Sequence, residues 1–280
     1  MTVLQWCLIF AGASLLWFPR LRYAAVGVLG LGYAVAYANG QIDFRAGIAV
    51  LLLAVAAYGM TSDRAPPFRI LGHLLFVALA AALFLHWLPG FHNPRVVEPQ
   101  RLTPDALPFS MYLNLDKPLI GFCLLLAWPY IQLRKPPRVW LGAGIIAGGA
   151  AIVVCIIAAF LLGFGTWAPK WPEWGWLWVV NNLLMVTVAE EALFRGYVQS
   201  ALARLLATRP FGEWIAVGLT AGLFGLAHFA GGWPLMLLAG IAGVGYGAAY
   251  RYGGLQASVL AHFGLNLVHF GLLTYPMLAR

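Results

Sequence analysis

The sequence predicts an all-α protein, a polytopic bundle of about ten transmembrane helices, and three observations carry that prediction. Of 280 residues, 62% are hydrophobic and only 9% are charged, against roughly 25% charged in soluble domains. A mean hydropathy of +0.83 does not fit a surface facing water. The apolar residues also fall into blocks of about 16 to 25, the length that crosses roughly 30 Å of hydrocarbon at about 1.5 Å per residue.

Taken in order, the blocks give spans at 3–18, 23–38, 46–60, 70–88, 118–133, 139–163, 176–200, 213–230, 233–250 and 255–273. The first follows an uncharged Met-Thr start and lacks the basic region of a signal peptide, so it reads as a retained helix. The first, third and fifth are short. Between the fourth and fifth lies a long, Pro-rich polar loop from Pro89 to Lys117. Ahead of the seventh, Trp167, Trp171, Trp174, Trp176 and Trp178 form an interfacial belt, because indoles favour the headgroup layer. Gly144 with Gly148, and Gly243 with Gly247, are small-xxx-small pairs suited to close helix contact. The first five spans carry little besides apolar side chains, which divides the chain into an N-terminal membrane region, 1–136, and a C-terminal membrane region, 137–280.

The net charge of +8 is a topology signal here. With the N-terminus outside, Arg20, Arg22, Arg64, Arg69, Arg134, Lys135, Arg138, Arg204, Arg209 and Arg251 all fall on the cytoplasmic side, as basic residues of short loops do. No basic run is longer than Arg134-Lys135, so nucleic acid is not a partner and the lipid bilayer is. Cys7, Cys123 and Cys155 sit in separate apolar blocks and read as packing residues.

The chemistry concentrates in the C-terminal half. Of nine acidic residues, only Glu190 and Glu191 lie deep within an apolar segment, where a charge costs about 2.5–3.5 kcal/mol on insertion scales. Thr187, Glu191, Arg195 and Gln199 follow one another at spacings of four, a polar stripe with an ion pair expected at its centre. Glu190 lies about 100° round the helix and stays available for chemistry. Phe224 and His228 share a face of the eighth span, and Ser258, His262, Asn266 and His269 line the tenth. His73 and His86 of the fourth span read as packing or interfacial.

These residues fall into three ordered motifs: Glu190-Glu191-Ala192-Leu193-Phe194-Arg195, Phe224-Gly225-Leu226-Ala227-His228 and His262-Phe263-Gly264-Leu265-Asn266. Together they resemble the motifs of the CPBP family, the type II CAAX prenyl endopeptidases and bacteriocin-processing relatives. The resemblance covers about residues 140 to 275. It implies a glutamate-dependent intramembrane endopeptidase, multi-pass in the plasma (inner) membrane of a prokaryote, acting on membrane-anchored or hydrophobic protein substrates. By motif position Glu190 resembles the general base and His228 its helper in activating water. His262 and Asn266 resemble the oxyanion-stabilising groups, with Glu191, Arg195 and Phe224 in support. No cofactor and no metal are expected. Zinc stays open, since two His and two Glu are zinc-type donors, although Asn266 is a poor fourth. There is no H-E-x-x-H zinc motif. Two readings from other classes stand beside the protease: a membrane scaffold or immunity protein that keeps the site without turnover, and an ion- or proton-coupled transporter using the paired glutamates.

Overall fold

The computed structural model describes residues 3–131 and 135–279; Arg134, one of the charges used for topology, lies outside them. The chain is helical, with apolar helices at all ten expected positions: α1 (Val3–Leu15), α2 (Arg22–Ala38), α3 (Phe44–Gly59), α4 (Pro66–Phe84), α5 (Pro118–Ala127), α6 (Pro137–Leu161), α7 (Gly175–Leu205), α8 (Gly212–Leu226), α9 (Gly232–Gly253) and α10 (Leu255–Leu272). Six of these positions carry helices long and apolar enough to cross a membrane. The shorter ones are α1, α3, α5 and α8. Large apolar side chains lie on the outside, among them Val3, Leu51, Leu74, Ile146 and Leu161, each more than 60% exposed. Only a hydrocarbon solvent accepts such a surface. The protein is an integral membrane protein.

The polar 89–117 loop does not stay irregular. Arg95–Gln100 (β1) and Phe109–Tyr112 (β2) pair as a two-stranded sheet. Val96-Val97 supplies β-branched residues, and a short hairpin satisfies backbone groups that a loop would leave to water.

Two compact units partition the chain. The first comprises Met1–Val96, Tyr112–Pro129 and Val180–Ala192. Its helices approach through small residues. A Cβ on Gly12 would lie 2.6 Å from the Leu29 side chain, and one on Gly72 would lie 2.6 Å from the Gly59 carbonyl carbon. On α5, a Cβ on Gly121 would lie 2.9 Å from the Cα of Ala189, so α5 lies directly against the stretch of α7 that carries Glu190. Tyr33 donates to the carbonyl of Leu115 at 2.7 Å, and Gln5 to Gln41 at 2.6 Å.

The second unit comprises Val97–Met111, Tyr130–Val179 and Leu193–Arg280. Both small-xxx-small pairs meet neighbours as expected. Gly144 and Gly148 of α6 admit Leu260 and Ala261 of α10, and Gly243 and Gly247 of α9 admit Ala221 and Val217 of α8. The tail returns beside the loop that follows β1: Leu107 N–H donates to Met277 at 3.0 Å, and Ala279 N–H to Asp105 at 2.8 Å. The tryptophans divide. Trp167, Trp171 and Trp176 are exposed as a belt requires, but Trp178 is 2% exposed and stacks on Phe270 at 4.0 Å.

Candidate active site

Glu190 and Glu191 lie on α7, and the backbone around them is unusual. Residues Asn182–Thr187 and Ala192–Gln199 take π-helical turns on either side of a short α-helical stretch, Val188–Glu191. A π turn holds more residues than an α turn, is costly, and occurs mostly at functional sites. The even spacing of four read along this helix is therefore altered, and Thr187 Oγ1 donates five residues back, to Asn182 Oδ1 at 3.3 Å. All four residues of the polar stripe are nevertheless buried: Thr187, Glu191 and Arg195 at 0% exposure and Gln199 at 4%.

In the first unit, Glu190 is 5% exposed and its Oε1 accepts from Lys117 Nζ at 2.5 Å. Lys117 immediately precedes α5 and lies over the Phe84 ring, 4.3 Å from its centroid. Its neighbour Asp116 is buried, and accepts from Asn93 Nδ2 at 3.1 Å and from the Lys117 N–H at 2.8 Å. His86 Nδ1 stands 2.6 Å from the second Asp116 oxygen. His86 lies beyond the end of α4 at Phe84, at φ +56°. It stands past the helix end and has Asp116 for a partner, which corrects its placement within the fourth span and leaves the interfacial reading in place. Burial alone would raise the Asp116 pKa, but the His86 hydrogen bond and charge and the two N–H donors outweigh it and hold the carboxyl below its ordinary value near 3.8.

In the second unit, Phe224, His228, Tyr246, His262, Asn266 and His269 line one cavity of about 120 Å³, completed by apolar side chains of α6 and α9. That volume holds several waters. His262 is 4% exposed and is held between two rings: Tyr246 stacks on its face at 4.5 Å and 12°, and Phe224 meets it edge-on at 5.6 Å. Arg195 supports both rings, with its Cζ 4.4 Å from the Phe224 centroid and 5.2 Å from that of Tyr246. Its Nη2 donates to the Gly243 carbonyl at 3.2 Å, and one turn further on Gln199 donates to Gly247 at 3.0 Å. Arg195 and Gln199 thus pin the same two glycines of α9 that admit α8.

His228 is not within a span. Helix α8 stops at Leu226, short of the expected 230, and a 3-10 turn over Phe229–Gly231 follows. Gly232 at φ +81° reverses the chain into α9, a conformation glycine adopts without strain. The His228 Nδ1 lies 2.8 Å from the Phe224 carbonyl. A carbonyl can only accept, so Nδ1 is the donor in this contact, and in the neutral ring Nε2 is the nitrogen that presents a lone pair. The bond also satisfies one of the orphan carbonyls at the helix end.

The first unit therefore carries Glu190 and Glu191, and the second brings Phe224, His228, His262 and Asn266 to one cavity under Arg195. Sequence reasoning misses two residues at these places. Tyr246 resembles any packing aromatic in an apolar helix. Lys117 reads as the last residue of a polar loop, and its only signal is an Asp-Lys pair abutting an apolar block. Within either unit, among the described residues, no three His, Cys, Asp or Glu side chains converge as metal ligands would.

Compared with known proteins, residues 172–268 match the family model described as type II CAAX prenyl endopeptidase Rce1-like. No curated protein and no solved structure matches the chain. The matched segment contains all three motifs, from Glu190 to Asn266. It begins well beyond α5, so the first five helices lie outside it. This Rce1-like match over residues 172–268 supports membership of the CPBP family, the family whose motifs the three ordered segments resemble.

Proposed function

We propose that this protein is an intramembrane endopeptidase that hydrolyses peptide bonds of membrane-anchored or hydrophobic protein substrates with a water activated by Glu190. The observation that supports this most is the second unit's cavity, where His228, His262 and Asn266 of the second and third motifs meet in a space of about 120 Å³. In this reading Glu190 takes a proton from water with the help of the His228 Nε2 lone pair. The water oxygen bonds to the scissile carbonyl carbon, and the carbonyl electrons move onto its oxygen. N–H donors of His262 and Asn266 stabilise that oxyanion, and they gain strength in a low-dielectric setting. The proton then passes from Glu190 to the amine nitrogen as the C–N bond breaks. The stacked Tyr246 and edge-on Phe224 hold the His262 ring in one orientation, so little reorganisation accompanies the charge. No metal takes part in this scheme. The substrate is a protein tethered in the plane of a prokaryotic inner membrane, and a prenylated C-terminal Cys-a-a-X tail is the first candidate, given the description of the matching family.

The test is cleavage in proteoliposomes. Purified protein is incubated with a farnesylated Cys-a-a-X peptide and with a pool of hydrophobic membrane-spanning peptides, and products are read by mass spectrometry. Cleavage by wild type and none by Glu190→Gln is the expected result. Equal product from the two chains removes Glu190 from the role, and no product from any peptide overturns the protease assignment in favour of a scaffold or transporter.

A further inference from the structure

The motifs account for Glu190, but not for the cation beside it. Lys117 comes from the N-terminal region, 55 positions before the family match begins at 172 (172 − 117 = 55). Its Nζ lies 2.5 Å from Glu190 Oε1, with the two side chains 13% and 6% exposed. Both charges are thus largely withdrawn from solvent. Lysine is rarely buried to this extent unless paired, and an ion pair in such a setting is strongly destabilised by loss of either partner.

The local fold builds the contact. Gly121 of α5 lies against Ala189, and a side chain there would collide with the α7 backbone. Lys117 stands four residues before Gly121, on the same face and about one turn nearer the start of the helix. The close approach that Gly121 permits therefore carries Lys117 to Glu190, the residue after Ala189. The ammonium is fixed from other sides as well. Phe84 lies under it at 4.3 Å, and the Lys117 N–H is held by Asp116, itself gripped by His86 and Asn93. Among the described residues, the charged or titratable groups gathered at this end of the first unit include Glu190, Lys117, Asp116, His86 and Tyr33, with Glu191 next along α7.

We propose that Lys117 is the positioning residue of the catalytic carboxylate: it anchors Glu190 Oε1, fixes the direction in which the carboxylate faces, and keeps Glu190 ionised at rest. This inference rests on the reading of Glu190 as general base. The N-terminal helices then supply part of the site, although the family match excludes them.

Carbodiimide labelling tests the proposal without a substrate. Dicyclohexylcarbodiimide modifies carboxyl groups that are protonated in apolar surroundings. The full chain in detergent at pH 7 is exposed to it, and modification of Glu190 is quantified by peptide mass spectrometry, with fragmentation separating Glu190 from Glu191. Wild type should label sparsely. Lys117→Met should label at least about fivefold more, because an adjacent opposite charge favours the ionised form. Lys117→Arg should stay within about twofold of wild type, since it keeps the cation. Equal labelling of wild type and Lys117→Met, or Lys117→Arg behaving like Lys117→Met, overturns the proposal. Where Lys117→Met does not purify, Lys117→Gln takes its place. The wild type alone is also decisive, since labelling of more than roughly half of Glu190 at pH 7 refutes an ionised resting state. On any peptide the wild type cleaves, Lys117→Met should lower kcat at least about tenfold with KM little changed. A raised KM with unchanged kcat contradicts positioning. Retained turnover in Glu190→Gln, by contrast, removes the base assignment and leaves the labelling result standing.

Discussion

Gly148→Ala is a small change with a large expected effect. A Cβ at Gly148 would lie 2.8 Å from the Cα of Ala261 and 3.0 Å from its Cβ, whereas ordinary contact begins at 3.4 Å. Helices α6 and α10 must therefore part locally by about 0.6 Å (3.4 − 2.8). The obstacle is backbone, which cannot swing aside as a flexible side chain can. Overpacking of this kind costs about 1–3 kcal/mol. Ala261 directly precedes His262, so the displacement falls on the residue assigned to the oxyanion. A misplacement of roughly 1 Å can reduce turnover on the order of 100-fold, and the smaller shift here should give a loss on the order of tenfold. The neighbouring Gly149→Ala is the control, because a Cβ there meets nothing within 4 Å. Both variants are compared by thermal melting in detergent and by peptide cleavage in proteoliposomes. Gly148→Ala should melt several degrees lower and turn over more slowly, with Gly149→Ala indistinguishable from wild type. Equal melting and equal turnover for the two alanines would refute the claim that the α6–α10 contact sets the position of His262.

Glu190→Gln should reduce cleavage by about 10²–10⁴-fold with melting nearly unchanged, since the amide keeps the shape but cannot take the water's proton; activity above about 10% contradicts the assignment. Arg195→Ala should reduce the yield of monodisperse protein in size-exclusion chromatography, because it removes the bond to Gly243 and the cation beneath Phe224 and Tyr246; a wild-type yield and melting point refute its bracing role. Purified active protein should contain no stoichiometric zinc and should survive chelation and dialysis; about one zinc per chain, with activity lost on chelation and restored by zinc, overturns the glutamate-only scheme. Asp116 is held below its ordinary value near 3.8 in the folded chain, so the unfolded chain binds its proton more readily. Its stabilisation is complete above about pH 4 and is lost as the pH falls through the depressed value. The melting difference between wild type and Asp116→Asn should shrink as the pH falls below about 4; a difference that grows as the pH falls below that point reverses the sign.

Length and hydropathy made the ten helices legible, because a chain this apolar has few other ways to satisfy its backbone in lipid. The three motifs and both glycine pairs were legible for a related reason, since each depends on residue type at a fixed helical spacing. What depends on departures from that spacing was not. The π turns flanking Val188–Glu191 change the pitch with no Pro in either stretch and a single glycine, Gly196, in the second, which by itself does not announce a π turn. The early end of α8 places His228 on a turn, because the helix stops at Leu226 while the apolar run continues through Phe229-Ala230 to the break at Gly231-Gly232. Lys117 was invisible as a site residue because its partner lies 73 positions away, and only tertiary contact between α5 and α7 joins them. Tyr246 differs from the other aromatics of apolar helices only in what it touches, and sequence does not record that.

The four short helices bear on how a hydrolase working among lipids obtains its water. Helix α8 has 15 residues and α1 has 13, lengths of about 22 and 20 Å at the α-helical rise. The hydrocarbon layer is about 30 Å thick. Leu219, Leu223 and Leu226 of α8 are about half exposed and face lipid. Helices that fall about 8–10 Å short are accommodated by local thinning of the bilayer or by sinking of their ends. Either response draws headgroups and water inward around the helix that leads to His228, so membrane thickness becomes a variable of the reaction. Lipids with shorter acyl chains relieve the mismatch, while longer chains stretch the path that each hydrolytic water must travel.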